Sequence, residues 1–175
     1  MNRVLSILCC MALFSAPALA QKKAAGAGMT DQQFVNLAAQ TDMVEANLGQ
    51  LAQDAASAQP VKDYGQMLVT DHTADFKQLQ TVATQANITL STAIDAEHNK
   101  AMITPFQKLK GKQFDTRYIH EMVAGHTKAL AVYKKEASDA TDPTIKSYAQ
   151  NAIPVLQKHL DNAKAIASGK TPTMQ

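Results

Sequence analysis

The sequence contains no tryptophan and only two cysteines, Cys9 and Cys10, both within its first twenty residues. Those twenty residues read as a secretory signal: Arg3 supplies a positive start, Val4 to Phe14 an apolar stretch, and Ala18-Leu19-Ala20 a small-residue cleavage pattern. A chain cut there begins near Gln21 and carries no thiol, which excludes disulfides and thiolate chemistry. The expected destination is the periplasm.

The other scarcities narrow the class further. Glycine (7), proline (6) and aromatic residues (5%) are few, whereas alanine, glutamine, leucine and lysine abound, a balance that favours helices over strands. No second apolar run of about 20 residues follows the signal, so no membrane-spanning helix is expected. Of the 17 basic residues Arg3 lies in the signal, leaving 16 against 15 acidic, with no Lys/Arg cluster longer than Lys22-Lys23 or Lys134-Lys135. That distribution offers no footprint for nucleic acid or anionic lipid. Nucleophile elbows, phosphate-binding glycine loops and a C-x-x-C-H haem attachment are also missing. A non-covalent haem held by Met122 and a histidine is poorly served by so few aromatic side chains. The sequence identifies no protein partner, and a homo-oligomer stays open.

What is present is helical periodicity. After a leader over residues 21–30, Phe34, Ala38, Thr41, Glu45, Leu48, Ala52 and Ala55 follow steps of four and three on one stripe. Pro60 suits the start of a second helix, running to about Ala86, whose stripe is Val61, Gly65, Leu68 and His72. The short connection makes the two an antiparallel hairpin. A second hairpin follows Gly111. Its first helix places Ile119, Met122, His126, Ala129 and Tyr133 inward; its second, opened by Asp142 and Pro143, places Ile145, Tyr148, Ala152, Val155, His159 and Ile166 inward. Pro154 should kink that last helix or mark a local break just before His159. The intervening stretch, about Asn87 to Lys112, is too long for a tight turn and long enough to carry the chain back along the bundle. A short helix over Ala93 to Met102 fits within it. The expected fold is all-α: a ferritin-like four-helix bundle over residues 31–167, two antiparallel hairpins joined by a long crossover, with a tail over 168–175.

Each long helix then carries one polar residue where the stripe asks for an apolar one: Glu45, His72, His126 and His159. Glu45 and His72 lie about equally far from the first turn, and His126 and His159 from the second, so the four should share one level. Three imidazoles and a carboxylate form a competent set for a single transition metal such as Zn, Fe, Cu or Ni. A di-iron site is disfavoured, because Val69, Val123 and Leu156 stand where Glu-x-x-His motifs need a glutamate. Asp75, three residues beyond His72, and Asn162, three beyond His159, are candidates to orient those imidazoles. The alternative is a buried polar layer in a non-enzymatic structural or interaction protein of the cell envelope, where the four residues only specify packing. His98 and His120 fall outside the layer and are assigned to solvent; Met43, Met67, Met102 and Met122 read as core filler.

The blocks F-V-N-L-A-A from Phe34, V-K-D-Y-G-Q-M-L-V-T-D-H-T from Val61, G-K-Q-F-D-T-R-Y-I-H-E-M from Gly111 and I-P-V-L-Q-K-H-L from Ile153, with Glu45 and His126 between them, resemble the domain of unknown function 4142 family. The resemblance covers about Asp31 to Ala167. It implies a ferritin-like four-helix bundle in exported bacterial proteins and brings no established activity, substrate or cofactor. A metal-handling or oxidative-stress role is the expectation that the Glu/His layer adds.

Overall fold

Four long helices make up most of the computed structural model, which describes residues 28–174. The signal sequence and most of the leader lie outside those described residues. Helix α1 spans Asp31–Ala55, α2 Gln59–Gln85, α3 Gly111–Asp139 and α4 Pro143–Ala167. Local chemistry sets their starts. The Thr30 hydroxyl accepts the Gln33 N–H while the Gln33 side chain accepts the Thr30 N–H, a reciprocal capping box. Asp142 caps α4 by accepting the Thr144 and Ile145 N–H groups, with Pro143 as first helical residue.

Each hairpin clasps the other's turn. Asp115, near the start of α3, accepts the N–H groups of Ser57 and Ala58 at 3.0 Å, together with the Ser57 hydroxyl. At the opposite end Asp31 accepts the N–H groups of Thr141 and Asp142, at 3.1 and 2.8 Å, and the Thr141 hydroxyl. Two carboxylates thereby satisfy turn donors that would otherwise be left without a protein acceptor. The start of α3 lies beside the α1–α2 turn, so α3 runs antiparallel to α1, and α4 likewise runs antiparallel to α2. The chain must therefore travel the length of the bundle between α2 and α3, which is the long crossover expected.

Within that crossover the expected helix over Ala93 to Met102 is replaced by a less regular course. One α-helical turn, Ala96–His98, passes into a π turn, Asn99–Ile103, and a 3₁₀ turn, Thr104–Phe106. Pro105 has no N–H to extend an α-helical ladder, so the chain tightens there. The buried Gln40 side chain on α1 holds the segment: its amide donates to the Ala93 carbonyl at 3.0 Å, and its oxygen accepts the Asp95 N–H at 3.0 Å. Ile103 and Phe106 enter the core.

Two details depart from the stripes read in sequence. Val155 is 42% exposed, and Leu156 takes the inward place, because steps of four and three from Ala152 lead to 156 and 159 rather than 155. Helix α4 also continues through Pro154, which sits on its exposed side, where solvent can serve the Gln150 carbonyl.

The core is divided. One apolar cluster near the α1–α2 turn contains Leu48, Tyr64, Leu68, Phe114, Tyr118 and Met122. The other, near the α3–α4 turn, contains Phe34, Leu79, Tyr133, Ile145, Tyr148 and Leu160. Between them lies a polar layer. Just on the turn side of it α1 and α2 approach backbone to backbone: a Cβ on Gly49 would lie 2.5 Å from the Gly65 carbonyl oxygen.

Candidate metal centre

Asp42, Glu45, His72, His126 and His159 are all buried between the two apolar clusters. The stripe logic that placed the last four at one level thus extends to a fifth residue, three positions before Glu45 on the same face of α1.

The three imidazoles face one another. Ring centroids are 5.2 Å apart for His72–His159 and for His126–His159, and 6.1 Å for His72–His126. One ring nitrogen from each lies within 4.8 Å of the others. Each ring is also held from behind. His72 Nδ1–H donates to Asp42 Oδ1, His126 Nδ1–H to the Met122 carbonyl, and His159 Nε2–H to Asp71 Oδ2, each at 2.9 Å. These partners assign the tautomers. They leave one nitrogen of each ring facing the layer: His72 Nε2, which is buried with no hydrogen-bond partner, and His126 Nε2 and His159 Nδ1, which lie 3.3 Å apart.

Electrostatics divides the layer into two kinds of group. Burial holds His126 down at about 3 and His159 at about 4, with the neighbouring His72 charge adding to both effects, so these two imidazoles are neutral. Burial alone would lower His72 as well. The Asp42 hydrogen bond and the charges of Asp42, Glu45 and Asp75 outweigh it and move His72 above its ordinary value. Burial pushes Asp42 up to about 7 in spite of His72, and it raises Glu45 too. The bare nitrogens of His126 and His159 therefore present two lone pairs to each other, a repulsive contact that a cation between them would relieve.

Glu45 is at the layer but is not one of the three gathered ligands. Its Oε2 is buried without a hydrogen-bond partner, and its Oε1 lies 3.7 Å from where a Cβ on Gly125 would be. The orienting roles expected of Asp75 and Asn162 fall elsewhere. Asp75 accepts the Tyr148 hydroxyl at 2.7 Å, while Asn162 donates to Met67 Sδ and accepts the Thr173 N–H. The acceptors that hold His72 and His159, Asp42 and Asp71, each come from a different helix than the imidazole they serve. Periodicity along one helix cannot report a partner across the bundle; the one available signal was the i, i+3 relation of Asp42 to Glu45.

Clefts reach the layer from two opposite sides. One, of about 320 Å³ between α2 and α4, is walled by Asp71, His72, Asp75, Tyr148 and His159. The other, of about 410 Å³, lies between α1 and α3 beside the crossover and is walled by Glu45, His72 and His126, with His98 and Met102 also lining it. His120, by contrast, is exposed and away from the layer.

Over residues 16–166 the sequence matches the family described as domain of unknown function DUF4142. The chain belongs to that family. No curated protein matches it. Among solved structures it is similar to "CopM in the Cu(II)-bound form", with a TM-score of 0.65 at 14% identity, covering 82% of this chain and 99% of that one. It is also similar to "CopM in the Ag-bound form", with a TM-score of 0.65 at 15% identity, covering 81% of this chain and 97% of that one. A DUF305 fragment from Deinococcus radiodurans has a TM-score of 0.67 at 13% identity, covering 79% and 95%. At such identities the likeness is one of fold. Among the described residues of this DUF4142 chain, no helix is long and apolar enough to cross a membrane.

Proposed function

We propose that this chain is an exported, periplasmic metal-handling bundle that holds one transition-metal ion among His72, His126 and His159, with Glu45 as the adjacent carboxylate, and that the ion is copper. The observation that carries the reading is the disposition of the imidazoles: one ring nitrogen from each lies within 4.8 Å of the others, and every ring is held from behind by an acceptor. Metal-bound histidines recur in this form, held from behind by carboxylate or carbonyl, and His72 would release its proton on binding the ion. Bonds of about 2.0–2.1 Å to a shared ion would bring ligand nitrogens to about 3.4 Å, so the widest pair would close by about 1.4 Å while His126 and His159 already stand at 3.3 Å.

Imidazole donors suit copper, zinc, iron and nickel alike, and the layer lacks the paired glutamates of a di-iron centre. Copper is preferred because the structural relatives include copper-bound and silver-bound forms of CopM. Export is supported by the signal pattern over residues 1–20, and the crossover topology is compatible with a ferritin-like description. The test is elemental analysis of untagged protein prepared without chelator, loaded and then dialysed. About one equivalent of copper is expected, lost in His126→Leu. Protein that retains no metal after loading would end this reading.

A further inference from the structure

The cleft between α1 and α3 carries two donors that the three-histidine layer does not use. His98 and Met102 lie four residues apart on the irregular crossover turn, and both line the cleft that also contains Glu45, His72 and His126. His98 repeats the arrangement of the inner histidines in the open. Its Nδ1 is held at 2.9 Å by both oxygens of Asp95, which leaves Nε2 as the nitrogen able to take a metal. Met102 departs from the core-filling part expected of methionines. It is 36% exposed, whereas Met67 and Met122 are buried. An apolar side chain at a cleft rim gains little from hydrophobic burial, but its thioether is a soft donor. The π turn that bears Met102 is a rare local irregularity, of a kind frequent at functional sites.

Resting on the metal-handling reading above, we propose that His98 Nε2 and Met102 Sδ form a capture site for a soft monovalent cation, Cu(I) or Ag(I), at the mouth of the α1–α3 cleft, from which the ion passes to the inner imidazoles. Two donors hold such an ion loosely enough to release it; three imidazoles hold it more firmly. At the same cleft Glu121 and Lys128 supply one charge of each sign, so selection at its mouth rests on donor softness. The α2–α4 cleft offers no thioether: its charged walls are Asp71, Asp75 and Lys158.

The experiment is anaerobic transfer of Cu(I) from a coloured Cu(I)–chelator complex to the full-length protein, followed by stopped flow, with His98→Ala/Met102→Leu compared with the parent chain. Both side chains are partly exposed, so the variant should fold. Capture at the cleft mouth predicts a transfer rate about tenfold lower with unchanged final stoichiometry and affinity. An unchanged rate in a variant that still loads overturns the capture site and leaves the inner site standing, as entry through the α2–α4 cleft would require. Loss of a full equivalent of bound Cu(I) also overturns it, because the pair would then be a storage site. If the parent chain accepts no Cu(I) at all, the metal reading falls and the capture site with it.

Discussion

The two neutral histidines set the acid sensitivity of the layer. His126 and His159 titrate at about 3 and about 4 in the folded chain, below the 6.5 of a free imidazole. The unfolded chain therefore binds protons that the native layer refuses, and the stability these groups contribute is complete above pH 6.5 and lost as pH falls towards 4. Asp42, raised by burial to about 7, and Glu45 and Asp75, raised by burial too, have the opposite slope there, since the native state holds the extra proton; His72 adds a slope of that sign only above pH 6.5. The wild-type curve alone is thus a sum of opposed slopes, and the informative quantity is a difference. Relative to wild type, His126→Leu/His159→Leu should gain up to about 1.4 kcal/mol per histidine for each pH unit between 6.5 and 4. Urea unfolding at pH 7.5, 6 and 5 measures it; parallel curves for the two proteins would show that neither histidine is neutral in the fold. The acceptors behind the rings should matter for metal instead. Asp42→Asn and Asp71→Asn are each expected to weaken copper binding by about 10–100-fold, measured by competition against a chelator, because the carboxylate both fixes the ring and raises its basicity.

Helix α1 and helix α2 meet at Gly49 and Gly65, and that contact fixes the level at which Asp42 meets His72. A Cβ on Gly65 would lie 2.8 Å from Ala52 Cβ and 2.9 Å from the Gly49 carbonyl oxygen, and neither neighbour is the far end of a flexible side chain. Helix propensity alone would make Gly65→Ala stabilising by about 1 kcal/mol. Forcing the helices apart costs about 1–3 kcal/mol and wins. Gly65→Ala should therefore lower the urea midpoint, and a raised midpoint would mean that the two backbones are not in contact. Gly65 was legible as a stripe residue, yet its reason was not, because the close approach belongs to two helices together. The same limit explains the rest. Periodicity placed Glu45, His72, His126 and His159 at one level, since that needs only spacing and turn positions. It missed Asp42 and Asp71, whose roles are cross-helix hydrogen bonds, and it misplaced Val155 by one step on α4. The crossover was legible in its length but not in its course, which Gln40 and Pro105 decide through contacts and a missing N–H.

The bundle as a whole buries a polar layer between two apolar clusters, and two readings of that layer predict different responses to metal. If the layer only specifies packing, replacing it with well-packed apolar side chains is neutral or stabilising, and added copper changes nothing in either protein. If the layer holds an ion, binding to the native state alone stabilises it by about 2.7 kcal/mol at a hundredfold excess over Kd. For a chain of this length that is a rise in Tm of about 5–10 °C. His72→Leu/His126→Leu/His159→Leu should keep its helical content and show no copper-dependent shift. The apolar clusters on either side, with Leu48, Leu68 and Met122 on one and Tyr133, Tyr148 and Leu160 on the other, give the new leucines apolar surface to pack against. Two side chains complicate the substitution in an informative way. Asp42 would lose its His72 partner while buried, and Asp71 would lose His159 but keep access to the α2–α4 cleft. Adding Asp42→Leu to the triple variant should therefore raise Tm above that of the triple variant, since it removes a buried acceptor that has lost its partner. Calorimetry of wild type, triple and quadruple variants with and without copper decides between the readings: a shift confined to wild type assigns the layer to metal, and an equal shift in all three assigns any binding to the surface.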